Sequence, residues 1–296
     1  MKTRRINLNY ISITVTIGVL LYLAVLIIPL MLSFFYSFTN FNVLNATKSF
    51  IGIENYIEMV SDKAFRATVL YTLEISLVVT LLANILGLVI AMALNQEGPF
   101  CSTLRTIFFI PQVLSSVVVG FIWSGMLNSQ RGLINVLLNK IGLIGANGNI
   151  SWLGDMNLAK LCVIGVCIWQ SLGFCTVVYM AALKGVPQEL KDAACVDGAN
   201  RWQVFRNVTF PLISPGVTVN VVMLLIMSFK LFDIIKVLTV GGPAGATETL
   251  AFYVTKIAFT VNRVGYGSAM AFSLFVVIAS ISMGLGAFLR RREVQY

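Results

Sequence analysis

Long uncharged runs organise the chain. Residues 6–47 contain no Asp, Glu, Lys or Arg, residues 67–96 contain only Glu74, and residues 106–130, 161–183, 207–229 and 264–289 contain none. A helix needs about 20 apolar residues to cross a hydrocarbon core, and each run is long enough. The pattern predicts six transmembrane helices: Tyr10–Phe35, Thr68–Leu94, Ile107–Leu127, Leu161–Leu183, Gly216–Thr239 and Ser268–Leu289. The first follows Lys2, Arg4 and Arg5, as a signal peptide would, but its apolar run is too long and no small-residue cleavage site follows. It reads as an uncleaved anchor. Residues 36–66 and 128–160 read as compact external elements, the second with a turn at Gly145-Ala146-Asn147-Gly148. On the second span Ala83, Gly87 and Ala91 recur every four residues, a spacing that lets membrane helices approach closely.

Composition fits the same picture. With 58% hydrophobic and 11% charged residues and a mean hydropathy of +0.88, the chain falls in the membrane class. The net charge of +9 is scattered through short loops without a basic block, which points to a membrane surface and not to nucleic acid. Its distribution sets an orientation. With the N-terminus inside, segments 1–9, 95–106, 184–215 and 290–296 hold 11 Lys/Arg, whereas the longer outer segments 36–66, 128–160 and 240–267 hold 8. Both termini are therefore expected in the cytoplasm. The cysteines Cys101, Cys162, Cys167, Cys175 and Cys195 form no C-x-x-C pair and read as small buried hydrophobes.

Absences limit the chemistry. Without histidine there is no Ser-His-Asp triad and no H-E-x-x-H zinc site, and without a Gly-Lys dipeptide there is no P-loop. A non-catalytic chain without cofactor or metal is expected, and any ATP that drives it must bind another chain.

The largest charged segment between two spans is the loop 184–215. Pro187 at a helix start sacrifices no hydrogen bond, Glu189 sits in the first turn where the helix dipole favours an anion, and Gly198 is a stop residue. About a turn and a half of helix is predicted between them. The stretch from Val186 to Ala199, read as Val-Pro-Gln-Glu-Leu-Lys-Asp-Ala-Ala-Cys-Val-Asp-Gly-Ala, resembles the cytoplasmic loop of bacterial ABC-importer permeases. Phe205, Val208, Pro211 and Pro215 fall at that pattern's later positions, Asp192 stands where the family usually has Glu, and Cys195 follows the alanine pair. In that family the loop docks on the ATP-hydrolysing subunit. The resemblance implies docking through Glu189, Asp192, Ala193, Ala194, Asp197 and Gly198, with Asp192 facing a basic residue of the partner.

Further stretches resemble the sugar-type branch of the family. Phe232-Asp233, Leu238-Thr239 and Gly241-Gly242-Pro243 follow its pattern at the end of the fifth span, and Phe50–Tyr56, Arg105–Pro111 and Ile168-Trp169-Gln170 are similar upstream. The resemblance implies an all-α membrane protein of six transmembrane helices with the type I ABC importer permease fold. Residues 1–66 would form the anchor helix and an external segment, and residues 67–290 the permease transmembrane domain with coupling loop 184–215. It also implies a solute path along Gln170, Ser171 and Phe174 on the fourth span and Ser228, Lys230 and Leu231 on the fifth. Asp233, three residues after Lys230, is expected on the same helix face as its neutralising partner. On that pairing the solute is an uncharged sugar or oligosaccharide. Glu74 reads as an interfacial or inter-helix contact. The implied setting is a bacterial inner membrane, with a second, different permease chain, two ATP-binding subunits, an extracytoplasmic solute-binding protein and membrane lipid as partners. A self-contained secondary transporter, with Glu74, Asp233 and the lysines holding a coupling ion, is the alternative.

Overall fold

The chain is described by a computed structural model over residues 8–44, 48–96, 98–145 and 148–291. Lys2, Arg4, Arg5 and the middle of the Gly145–Gly148 turn lie outside the described residues. Helix α1 (Leu8–Tyr22) continues through a π-turn at Leu23–Ile27 into α2 (Ile28–Tyr36). Short α3 (Glu54–Ser61) precedes long α4 (Lys63–Ala93). Next come α5 (Pro99–Val113), α6 (Ser116–Met126), α7 (Leu133–Lys140) and the second long helix, α8 (Met156–Lys184). Helices α9 (Gln188–Val196), α10 (Arg201–Val204) and α11 (Phe210–Leu212) lead into α12 (Ser214–Phe229). Helices α13 (Asp233–Leu238), α14 (Leu250–Thr255) and α15 (Val264–Arg290) complete the order. Among the described residues the only β pairings are isolated bridges, Thr39 with Phe50 and Asn42 with Arg263.

Four helical stretches are long and apolar enough to cross a membrane: Val15–Tyr36, α4, α8 and α15. Two bent pairs, α5 with α6 at 100° and Arg201–Leu212 with α12 at 65°, bring the number to six. The third and fifth predicted spans are thus not single rods. Leu114 is extended (φ −70°, ψ 140°), and the Ser115 side chain accepts a hydrogen bond from the Val117 N–H to start α6 afresh. In the fifth, α12 stops at Phe229 and α13 starts at Asp233, after Phe232 leaves helical geometry at φ −129°.

The chain divides into two compact units. The first comprises Met1–Asp62 and Val254–Val276. In it buried Asn55 donates to the Ser37 carbonyl at 2.8 Å and the Thr39 carbonyl at 2.9 Å, closing a polar turn that would otherwise strand two carbonyls. Arg263 grips both oxygens of Glu58, at 2.7 and 2.6 Å, and the Tyr266 hydroxyl donates to Asp62 at 2.9 Å.

The second unit comprises Lys63–Tyr253 and Val277–Tyr296. Its centre is α4 against α8, and the two run parallel. Lys160 meets Glu74 at 3.9 Å towards their N-terminal ends, while Gly87 faces Cys175 and Asn84 faces Tyr179 towards their C-terminal ends. Lipid tails are as apolar as leucine, so membrane helices associate by close packing and polar contacts between them. Gly87 supplies the first: a Cβ there would overlap that of Cys175, and Ala83 and Ala91 on the same face are fully buried. The predicted small-residue stripe is the α4 face that packs on α8. Helix α12 runs antiparallel to α8, with Gly216 against Ala182 and Asn220 donating to the Cys175 carbonyl at 3.3 Å. Helix α5 is antiparallel to α8 as well, since Gly173 packs on Phe108, Phe109 and Gln112 while Gln170, a turn earlier on α8, reaches Leu114 just past the end of α5. Parallel α4 and α8 require the chain between them to cross back once, and the bent α5–α6 pair makes that crossing.

Candidate functional site

Two helix breaks meet at one cavity. It measures about 420 Å³ and is lined by Ser116 at the first break, by Gln170 and Ser171 of α8, and by Ser228, Lys230, Leu231 and Asp233 at the second. A break frees backbone carbonyls that a continuous helix would satisfy, and side chains take over here. Gln170 Nε2 donates to the Leu114 carbonyl at 3.2 Å and lies 3.4 Å from Ser116 Oγ. Thr249 Oγ1 donates to the Leu231 carbonyl at 2.6 Å. Ser171 Oγ turns back to the Cys167 carbonyl at 2.8 Å, and Ser228 is buried in the wall.

Six of the seven path residues predicted from sequence converge on this cavity: Gln170, Ser171, Ser228, Lys230, Leu231 and Asp233. Phe174 does not, because it packs with the apolar cluster around Tyr179 and Ile213. The expected Lys230–Asp233 pair is a correction. The helix breaks between them, both side chains are exposed, and no ion pair joins them among the described residues. Lys230 caps the C-terminus of α12 and Asp233 opens α13, so each charge sits at the helix end whose dipole favours it. Glu74 makes the inter-helix contact expected of it, a 3.9 Å approach to Lys160 with about half of its side chain exposed.

The second group of predicted residues lies on an exposed helical hairpin. Helix α9 has nine residues, about two and a half turns instead of one and a half, and none of them is buried. Glu189, Asp192, Ala193, Asp197 and Gly198 are exposed and Ala194 is half-buried. The Cys195 thiol is exposed with them, contrary to the expectation that all five cysteines are buried, because α9 has no packed face. Gly198 adopts φ +83°, and the bonds Gly198 N–H to Cys195 carbonyl and Ala199 N–H to Ala194 carbonyl, both 3.0 Å, close the helix end. Asn200 then starts α10 by a reciprocal cap with Gln203, at 2.7 and 2.9 Å. This second helix went unpredicted, although Asn-x-x-Gln is the spacing of such a cap. It presents Trp202, 65% exposed and stacked on Phe205 at 5.6 Å, beside Val196, which is 87% exposed.

The sequence profile of the family described as "Binding-protein-dependent transport system inner membrane component" matches residues 83–294. The chain belongs to that family. It is a multi-pass membrane permease subunit of a binding-protein-dependent importer. The permease is 32% identical to the "Probable starch degradation products transport system permease protein AmyD" of Thermoanaerobacterium thermosulfurigenes, over 92% of this chain and 90% of that one. It is 31% identical to the trehalose/maltose transport system permease protein MalF of Thermococcus litoralis, over 96% and 94% of the two chains. A chain in the crystal structure of a bacterial ABC transporter involved in the import of the acidic polysaccharide alginate superposes with a TM-score of 0.81, at 24% identity and over 95% of each chain. The fold is the all-α type I ABC importer permease fold.

Proposed function

We propose that this permease moves a sugar or oligosaccharide, handed over by an extracytoplasmic solute-binding protein, through the cavity between its two helix breaks. The convergence of Gln170, Ser171, Ser228, Lys230, Leu231 and Asp233 on one cavity beside the apolar helices α4, α8 and α12 supports this reading most directly. Amide, hydroxyl and charged groups bond the edge of a polyhydroxylated ring, and the apolar wall packs its face. The relatives' names, starch degradation products and trehalose/maltose, favour the same solute class.

The permease is itself non-catalytic. ATP is hydrolysed by two separate subunits, and loop 184–215 docks on them through Glu189, Asp192, Ala193, Ala194, Asp197 and Gly198. Asp192, held by Gln188 Nε2 at 2.9 Å, keeps its second oxygen for a cation of the partner. Both termini and this loop face the cytoplasm, the side with the higher Lys/Arg density. A second, different permease chain completes the pathway. Within this chain, residues 1–66 serve as anchor and external segment and 67–290 as the transport domain.

Reconstitution tests the reading. Proteoliposomes holding both permeases, the ATPase subunits and the binding protein are expected to accumulate labelled maltose, trehalose or maltotriose only with ATP and all components present. Uptake that persists without the ATPase subunits overturns the assignment in favour of a self-contained transporter.

A further inference from the structure

The two breaks beside the cavity are held in different ways. Gln170, which bonds the Leu114 carbonyl, lies in the cavity, so a solute that competes for its amide acts directly on that break. Thr249, which bonds the Leu231 carbonyl, is fully buried and does not line the cavity. Its hydroxyl has two uses: it donates to Leu231, and it accepts the Phe252 N–H at 3.4 Å as the cap of α14. The next N–H, that of Leu250, donates to Thr72 Oγ1 at 2.8 Å, and the Thr72 hydroxyl in turn bonds the Thr68 carbonyl within α4 at 2.7 Å. Two buried hydroxyls therefore tie the cavity wall at Leu231, through the start of α14, to the long helix α4.

We propose that Thr249 is a positioning residue of the solute cavity, fixing the Leu231 wall from behind while the Gln170 break responds to solute. The proposal rests on the cavity being the solute path. Removing the hydroxyl but not the shape, in Thr249→Val, leaves the Leu231 carbonyl without its donor and frees the wall to move. Thr249→Ser keeps the donor and keeps the wall.

The test places a cysteine at the wall, Leu231→Cys, in the complete transporter in nanodiscs. Its rate of reaction with a charged methanethiosulfonate is read by peptide mass spectrometry. Thr249→Val is expected to change the labelling rate at position 231 by about fivefold relative to the same cysteine with Thr249 in place, the factor set by one typical hydrogen bond. Thr249→Ser is expected to restore it. Should Thr249→Val not assemble, Thr72→Val carries the same expectation, since it cuts the tie to α4. Unchanged labelling in whichever variant assembles overturns the role of Thr249. A labelling change with unaltered maltose, trehalose and maltotriose uptake in proteoliposomes overturns instead the cavity as solute path.

Discussion

Tyr179 donates its hydroxyl to Asn84 Oδ1 at 2.5 Å across the α4–α8 interface, and both side chains are buried. With lipid outside and packed helices within, neither group has water to turn to. Asn84 Nδ2 meanwhile bonds the Thr80 carbonyl of its own helix at 2.7 Å, which fixes the amide's direction towards Tyr179. Tyr179→Phe is expected to destabilise the permease by about 1 kcal/mol, the usual scale of such bonds between membrane helices. Asn84→Leu should cost more, because it also removes the amide's bond to the Thr80 carbonyl. A denaturant titration in detergent micelles with both single variants and the double variant reads the coupling, and zero coupling would remove the bond from the account.

Gly87 makes a second prediction about the same interface. Gly87→Ala forces its Cβ onto that of Cys175 and is expected to cost about 1–3 kcal/mol as overpacking. Cys175→Gly vacates the space, so the double variant should recover part of the loss in thermal stability. A double variant no more stable than Gly87→Ala would show that the helices are not packed at this point.

Lys230 and Asp233 should behave as independent charges. Since they lie on opposite sides of a helix break and do not pair, Asp233→Asn is expected not to restore the uptake lost in Lys230→Gln. Rescue of one by the other would reveal an ion pair during transport. The case for an uncharged solute loses its main support here, because Lys230 is not held by Asp233. Comparing maltose with a uronate disaccharide in the Lys230→Gln variant measures that directly, and loss confined to the uronate marks Lys230 as an anion contact.

At Gly198 the constraint is conformational. At φ +83° an L side chain is strained, yet nothing lies within 4 Å of where its Cβ would stand. Gly198→Leu is expected to cost about 1–2 kcal/mol locally and to loosen the end of α9 while leaving the protein in the membrane. Uptake and binding-protein-stimulated ATPase activity should then uncouple, whereas Gly198→Asn should retain most coupling because Asn tolerates the left-handed region. Full uptake by Gly198→Leu would sink the docking assignment.

Length and apolarity made the spans at α4, α8 and α15 legible, since charges bound each run. They could not reveal the breaks at Leu114 and Leu231, because a leucine outside a helix is as apolar as one inside it. Ser115 was the available signal at the first, a capping residue inside an apolar run. At the second, the donor that makes the break tolerable is Thr249, 18 residues further on, and no local pattern announces it. The cavity residues were legible only through family resemblance. That route named Lys230 and Asp233, which both line the cavity, but a continuous helix was assumed between them and gave the wrong pairing. Phe174 does not line the cavity, because it packs on the apolar cluster that holds Tyr179 and Ile213.

The closed end of α9 has a mechanical consequence. A helix with no buried residue would ordinarily fray at its end, but here Gly198 and Ala199 close the C-terminus of α9, while the Gly185 and Val186 N–H groups close the last turn of α8 just before it. Under the docking proposed for α9, a push on it would reach α8 through the short link of residues 185–187. The same rod carries Gln170 about 21 Å further along, at a rise of about 1.5 Å per residue. On that proposal, any displacement of the hairpin that moves α8 along its axis also moves the amide that holds the first helix break.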